Sequence, residues 1–97
     1  DNRIILLNSN SKFSMNNPVP NPATESFKLD YGIGFDVLSK IEVLNYYGES
    51  VMTVYDGMLQ AGTYSEVITT TGLSSGTYMI RISAGPFTDT KQFLIVK

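Results

Sequence analysis

Two residues that carry much of protein chemistry are missing from this chain. It has 97 residues and neither a cysteine nor a histidine among them. Without cysteine there is no disulfide to staple the fold and no thiolate to hold zinc. Without histidine the commonest general base and the commonest zinc ligand are gone, and the serines have no partner for a Ser-His-Asp arrangement. Tryptophan is also absent. Charge is scarce: Asp, Glu, Lys and Arg make up 16% of the chain, against a usual value of about 25%. Ser, Thr, Asn and Tyr must therefore supply most of the polar surface. The net charge is −2, and the seven basic residues are scattered singly from Arg3 to Lys97. Phosphate binding needs clustered Lys and Arg, so no nucleic acid is expected as a partner. No apolar run approaches the roughly 20 residues of a membrane helix. The run "RIILL" at Arg3–Leu7 is too short, and it lacks the small-residue cleavage pattern of a signal peptide. With no methionine at its start, the sequence reads as a piece of something larger.

What is present suits one β-domain. An apolar content of 42% is adequate for one core, and a chain of this size buries about two-thirds of its unfolded surface. No window carries the i, i+3, i+4, i+7 stripe of an amphipathic helix. Short β-rich runs broken by turn residues recur instead, at the spacing of an all-β sandwich. In "TESFKLDY", Phe27, Leu29 and Tyr31 alternate with Ser26, Lys28 and Asp30. In "GTYMIRIS", Tyr78, Ile80 and Ile82 alternate with Met79, Arg81 and Ser83. "SKIEVLNYYG" has apolar residues on both faces, which predicts cover on both sides. "YGIGFD" reads as a loop, and Asp56-Gly57 as a strong turn dipeptide. "NNPVPNPA" holds Pro18, Pro20 and Pro22; with no N–H to give, these must lie on an extended edge or linker. "GTY" occurs at Gly62–Tyr64 and again at Gly76–Tyr78. It is either a tandem repeat or, more plainly, a glycine that ends a turn followed by two residues suited to a strand.

The last run, Thr90–Val96, resists a one-face reading. Phe93 and Ile95 fall on one side, Leu94 and Val96 on the other. An ordinary edge strand shows one solvated face. This strand is therefore expected either to be central in the sandwich or to be covered by something outside the chain.

Chemistry-bearing constellations are thin. Of nine carboxylates, Asp30 and Asp36 flank the glycine loop and Asp56 sits in the DG turn. None has the apolar setting that would split an acid from a base, so no enzyme and no cofactor is expected. "DYGIGFD" offers Asp30, Asp36 and backbone carbonyls as a sparse calcium loop, with solvated turn aspartates as the plainer reading. "GIG" lacks the lysine and the helix of a phosphate cradle. Tyr46, Tyr47 and Tyr55 are candidates for a sugar-stacking platform, against ordinary cross-strand packing.

Four stretches in order resemble a known family. They are "NPVPNPA" at Asn17–Ala23, "IEVLNYYGESV" at Ile41–Val51, "GLSSGTYMIRI" at Gly72–Ile82, and "KQFLIVK" at Lys91–Lys97. Together they are similar to the C-terminal sorting domains of the type IX secretion system, the Por secretion tails. "YGIGFDVLSK" departs from the family by being longer than its usual link.

The resemblance implies an Ig-like antiparallel β-sandwich of about seven strands. Residues 17–97 would form the sorting domain, and residues 1–16 a linker or first strand from the preceding cargo region. It implies an N-terminal cargo domain in the parent chain, passage through the periplasm and an outer-membrane translocon, and delivery to the cell surface or the extracellular space. A sortase-like cysteine peptidase would remove the domain, near Asn8–Lys12 or before Asp1. The family's recognition elements fall here on Gly76, Tyr78, Lys91, Phe93, Leu94, Ile95, Val96 and Lys97.

Strand addition to an exposed edge is the mechanism expected for such a signal. The competing reading is a non-catalytic carbohydrate-binding or spacer domain of a secreted enzyme. An exposed edge strand would also permit a homodimer.

Overall fold

The computed structural model describes residues 12–97. The run Arg3–Leu7, and all of the stretch Asn8–Lys12 except its last residue, lie outside the described residues. Seven strands follow in order: β1 (Ser14–Met15), β2 (Ser26–Ile33), β3 (Val37–Leu44), β4 (Ser50–Leu59), β5 (Gly62–Thr69), β6 (Gly76–Ala84) and β7 (Phe87–Ile95). They form two sheets, β1-β2-β5 and β4-β3-β6-β7, in which every strand pairing is antiparallel. The sheets pack face to face as the expected Ig-like sandwich.

Period-two patterning builds both inner faces. Phe27, Leu29, Tyr31 and Ile33 of β2 are all buried, and so are Tyr78, Ile80, Ile82 and Ala84 of β6. Each large apolar side chain moved out of water contributes about 1.5–3 kcal/mol. The sheets meet where Phe27 touches Phe93, with ring centroids 4.7 Å apart. From Ile41 to Leu44, β3 is buried on both faces, as its two-sided pattern requires. Its outer face is covered in part by Arg81, whose guanidinium lies 2.7 Å from the Glu42 carboxylate directly across the register.

Three local readings are corrected. The stretch "YGIGFD" is a turn only at Gly34–Asp36, because Tyr31, Gly32 and Ile33 complete β2. The lead-in chain passes close over these glycines. A Cβ on Gly32 would lie 2.4 Å from the Lys12 carbonyl oxygen, and one on Gly34 would lie 2.7 Å from the Phe13 ring. Asp56-Gly57 is not a turn. It lies inside β4 opposite Lys40 and Ser39, because pairing along β3 overrides local turn preference. The chain reverses instead at Gln60–Ala61, where the Ala61 N–H donates to Asp36 Oδ1 at 2.9 Å.

The third concerns β7: of its two expected placements, the central one is excluded. It is the last strand of its sheet. Phe93 and Ile95 face the core, while Leu94 and Val96 are 41% and 50% exposed.

The hydrogen bond from Arg81 holds the Glu42 carboxyl below the usual glutamate range, against burial, which pushes it up; a bond to Ser50 lowers it further. A depressed folded-state pKa contributes stability that is present above the unfolded value and lost as pH falls through the folded one. Glu42→Gln should therefore lower stability at pH 7 by about 1–2 kcal/mol, discounted for the partly exposed Arg81. Denaturant unfolding at neutral and acid pH checks this: the difference between the two proteins should shrink as the pH drops below the carboxylate range.

Candidate functional site

Every residue assigned to recognition lies on the β6–β7 hairpin or just beyond it. The two-residue turn Gly85-Pro86 closes the hairpin, with Gly85 at a φ of 58°. A Cβ there would sit 2.6 Å from Val37 Cγ2, so the turn needs glycine for both its dihedral and its neighbour. The register pairs Gly76 with Ile95, Tyr78 with Phe93 and Ile80 with Lys91.

The fold divides these residues into two groups. Tyr78, Phe93 and Ile95 are buried in the core, out of a partner's reach. The Tyr78 ring stands 6.1 Å from that of Phe93, and its hydroxyl donates to the Ser74 carbonyl at 2.7 Å. A tyrosine at the start of this strand that bonds back to the corner before it is the tyrosine corner of Ig-like sandwiches. The first "GTY" uses the same device, with the Tyr64 hydroxyl donating to the Gln60 carbonyl at 2.6 Å. Both copies open strands, β5 and β6, so the plainer reading of the repeat holds.

The accessible group is Leu94, Val96, Lys97, half-buried Lys91 and Gly76. Lys91 Nζ lies 3.6 Å from Asp89 Oδ2. Lys97 donates twice, from Nζ to the Thr70 carbonyl at 2.8 Å and from its N–H to Ser75 Oγ at 2.9 Å. Gly76 has no positive φ, and a Cβ on it would meet only the Tyr78 ring at 3.8 Å. The fold therefore does not demand glycine at this position.

Sequence reasoning missed the surroundings of Lys97. Val96 and Lys97 border an open cleft lined by Thr24–Ser26 and Thr69–Thr71. Thr70 anchors it: buried, it donates from Oγ1 to the Thr24 carbonyl at 2.6 Å and from its N–H to the Glu25 carbonyl at 2.9 Å. The sequence signal for this is faint, no more than the consecutive threonines Thr69–Thr71.

The other candidate constellations do not assemble. Tyr46 and Tyr47 are exposed at the β3–β4 turn, but their rings stand edge to face at 78° and share no flat surface. Tyr55 sits well along β4 opposite Ile41, with its hydroxyl bound to the Met58 carbonyl at 2.6 Å. Asp30 lies within β2 opposite Ser65, and Asp36 is engaged by Ala61. Among the described residues no three His, Cys, Asp or Glu side chains gather as metal ligands would.

Sheet edges are the remaining surface, and most are blunted. β1 is two residues long. β4 has register shifts at Ile41/Glu42 and at Val43/Leu44 in its pairing with β3. On β5, Glu66 falls on the core-facing side with Ile68 and accepts the Tyr31 hydroxyl. Burial first, and then that bond, push the Tyr31 pKa far up, so its proton stays in place. Short edges, irregular pairing and inward charges all discourage pairing with another chain. β7 is blunted over only half its length: Ala23 bridges Ile95 in parallel, beside Leu94 and Val96.

A family model described as the secretion system C-terminal sorting domain matches residues 19–97. No curated protein matches the chain.

Tyr78→Phe should keep the fold and cost about 1 kcal/mol, the worth of one hydrogen bond. Phe93→Ala should cost about 3–5 kcal/mol, because it opens a cavity between the sheets. Gly76→Ala should leave stability unchanged or slightly higher, by up to about 1 kcal/mol. Urea unfolding of the three variants orders them, and a large loss from Gly76→Ala would contradict the space seen around it.

Proposed function

Given that the chain belongs to the family of secretion system C-terminal sorting domains, we propose that it directs a cargo protein carried N-terminal to it through the outer-membrane machinery of the type IX pathway. In this reading the cargo reaches the outer membrane from the periplasm and ends at the cell surface or outside the cell. The domain performs no catalysis of its own, and a sortase-like peptidase removes it upstream of Phe13.

One observation carries the reading. Five residues at the end of β7 and just beyond it divide between two surfaces: Phe93 and Ile95 lock the strand into the core, while Leu94, Val96 and Lys97 stay accessible beside it. A rigid strand that presents side chains in fixed alternation suits recognition by strand addition, in which backbone pairing gives affinity and alternate side chains give specificity. Gly76, directly across from Ile95, belongs to the same surface.

The test uses the full cargo protein in a bacterium that carries this pathway. Leu94→Ser with Val96→Ser should reduce export by about tenfold, since two exposed apolar contacts are worth roughly the 1.4 kcal/mol that a factor of ten requires. Both sites are half exposed, so the domain should still unfold cooperatively. Cell fractionation reads the outcome: accumulation of folded cargo in the periplasm supports the proposal, and undiminished export defeats it.

A further inference from the structure

Half of the outer edge of β7 is already occupied, and the occupant is a segment of the same chain. Alternation along the strand turns the backbone groups of Thr88, Thr90, Gln92 and Leu94 away from β6. At the far end these groups are satisfied. The Ala23 N–H donates to the Leu94 carbonyl at 2.8 Å, and the Val96 N–H donates to the Ala23 carbonyl at 2.8 Å. The Leu94 N–H donates to Asn21 Oδ1 at 2.9 Å. Asn21–Ala23 thus does the work of a short parallel strand. Pro20 and Pro22 have no N–H to offer, so the outer side of this segment is a poor template for another strand.

Among the described residues the near half of the edge is bare, and no strand lies beyond β7 in its sheet. The Thr90 N–H turns back to Asp89 Oδ1 at 2.8 Å, and the outward groups of Thr88 and Gln92 make no backbone bond to another of the described segments. An open stretch therefore runs straight into a guarded one.

We propose that Asn21–Ala23 is a displaceable guard, and that the β7 edge receives an extended strand of a second protein. This strand docks on Thr88–Gln92 and then replaces the guard at Leu94–Val96. The proposal rests on the sorting reading and specifies how that site is opened. The exchange is favourable because the incoming strand replaces the three guard hydrogen bonds like for like and adds those of the bare half. Withdrawal of the guard is also cheap for the core. Ala23 is the one residue of the three that is buried there, and its side chain is a single methyl.

The occupant is a partner strand and not a second copy. Another copy's β7 edge carries the same guard, so two copies pair only over Thr88–Gln92. The partner is uncharged where it passes Leu94 and Val96, and it bears no proline on the side that faces β7.

The parallel bridge at Ala23 and Ile95 places Thr24 beside Val96, both exposed. A disulfide in Thr24→Cys/Val96→Cys should lock the guard shut. The full cargo protein with this lock oxidised should be exported about tenfold less than the Val96→Cys single variant, one lost order of magnitude being the signature of a blocked docking step. Equal export of the two overturns the guard. Deletion of residues 17–97 separates the failures. If the deletion traps the cargo while the locked protein leaves normally, only the guard is wrong; if the deletion variant also leaves normally, the sorting reading falls and takes the guard with it.

A second measurement does not depend on export. Asn21→Ala removes the acceptor for Leu94, so amide exchange at Leu94 and Val96 should quicken by about five- to tenfold, while Ile80 and Ile82 hold their rates. Unchanged exchange at Leu94 and Val96 overturns the proposal. Sedimentation of the Asn21→Ala protein completes the test: a monomer is expected, and a dimer would assign the edge to a second copy instead.

Discussion

Phe93 is held between the two sheets, 4.7 Å from the Phe27 ring and 6.1 Å from the Tyr78 ring. Much of what the domain presents to the outside follows from that placement. A strand alternates its side chains, so burying Phe93 also buries Ile95 and turns Leu94 and Val96 outward. It also fixes which backbone groups of β7 face β6 and which face solvent. Packing and presentation are therefore not separate properties of this strand. A surface set by alternation cannot drift without pulling an aromatic ring out of the core.

The lead-in chain supplies the second constraint, because it touches β7 at both ends. Phe13 stacks on Phe87 at 5.4 Å and meets Phe35 edge-on at 5.0 Å. Ten residues further along, Ala23 bridges Ile95. These anchor points lie eight strand residues apart, about 26 Å at 3.3 Å per residue. The glycines at 32 and 34 make this route possible, since a side chain at either would collide with Lys12 or Phe13. Phe13 and the Asn21–Ala23 segment that covers the end of β7 are thus parts of one continuous strap.

Several sequence signals have a structural role. In Gly76-Thr77-Tyr78, Tyr78 closes a corner on Ser74 and fills the core. Its twin at Gly62–Tyr64 does the same to Gln60. The two-sided apolar pattern of Thr90–Val96 left two placements open, a central strand or one covered from outside the chain. In fact one face is core and the other stays half exposed, a distinction that composition cannot make because Leu and Val serve either role. Asp56-Gly57 carried a strong local turn signal, but β3 offered it a partner along its length.

From its residues alone this protein was bound to be a cysteine-free β-sandwich, with β2 and β6 facing inward through Phe27, Leu29, Tyr31 and Tyr78, Ile80, Ile82. Period-two alternation is a local property of the backbone, and it can be read along a single strand. Which strands lie at the edges, which half of β7 is covered, and that three residues of a proline-rich lead-in cover it were decided only in three dimensions. Those facts depend on hydrogen bonds between segments about 70 residues apart, such as the Leu94 N–H to Asn21 Oδ1, and no local pattern encodes which distant segment will arrive to accept them.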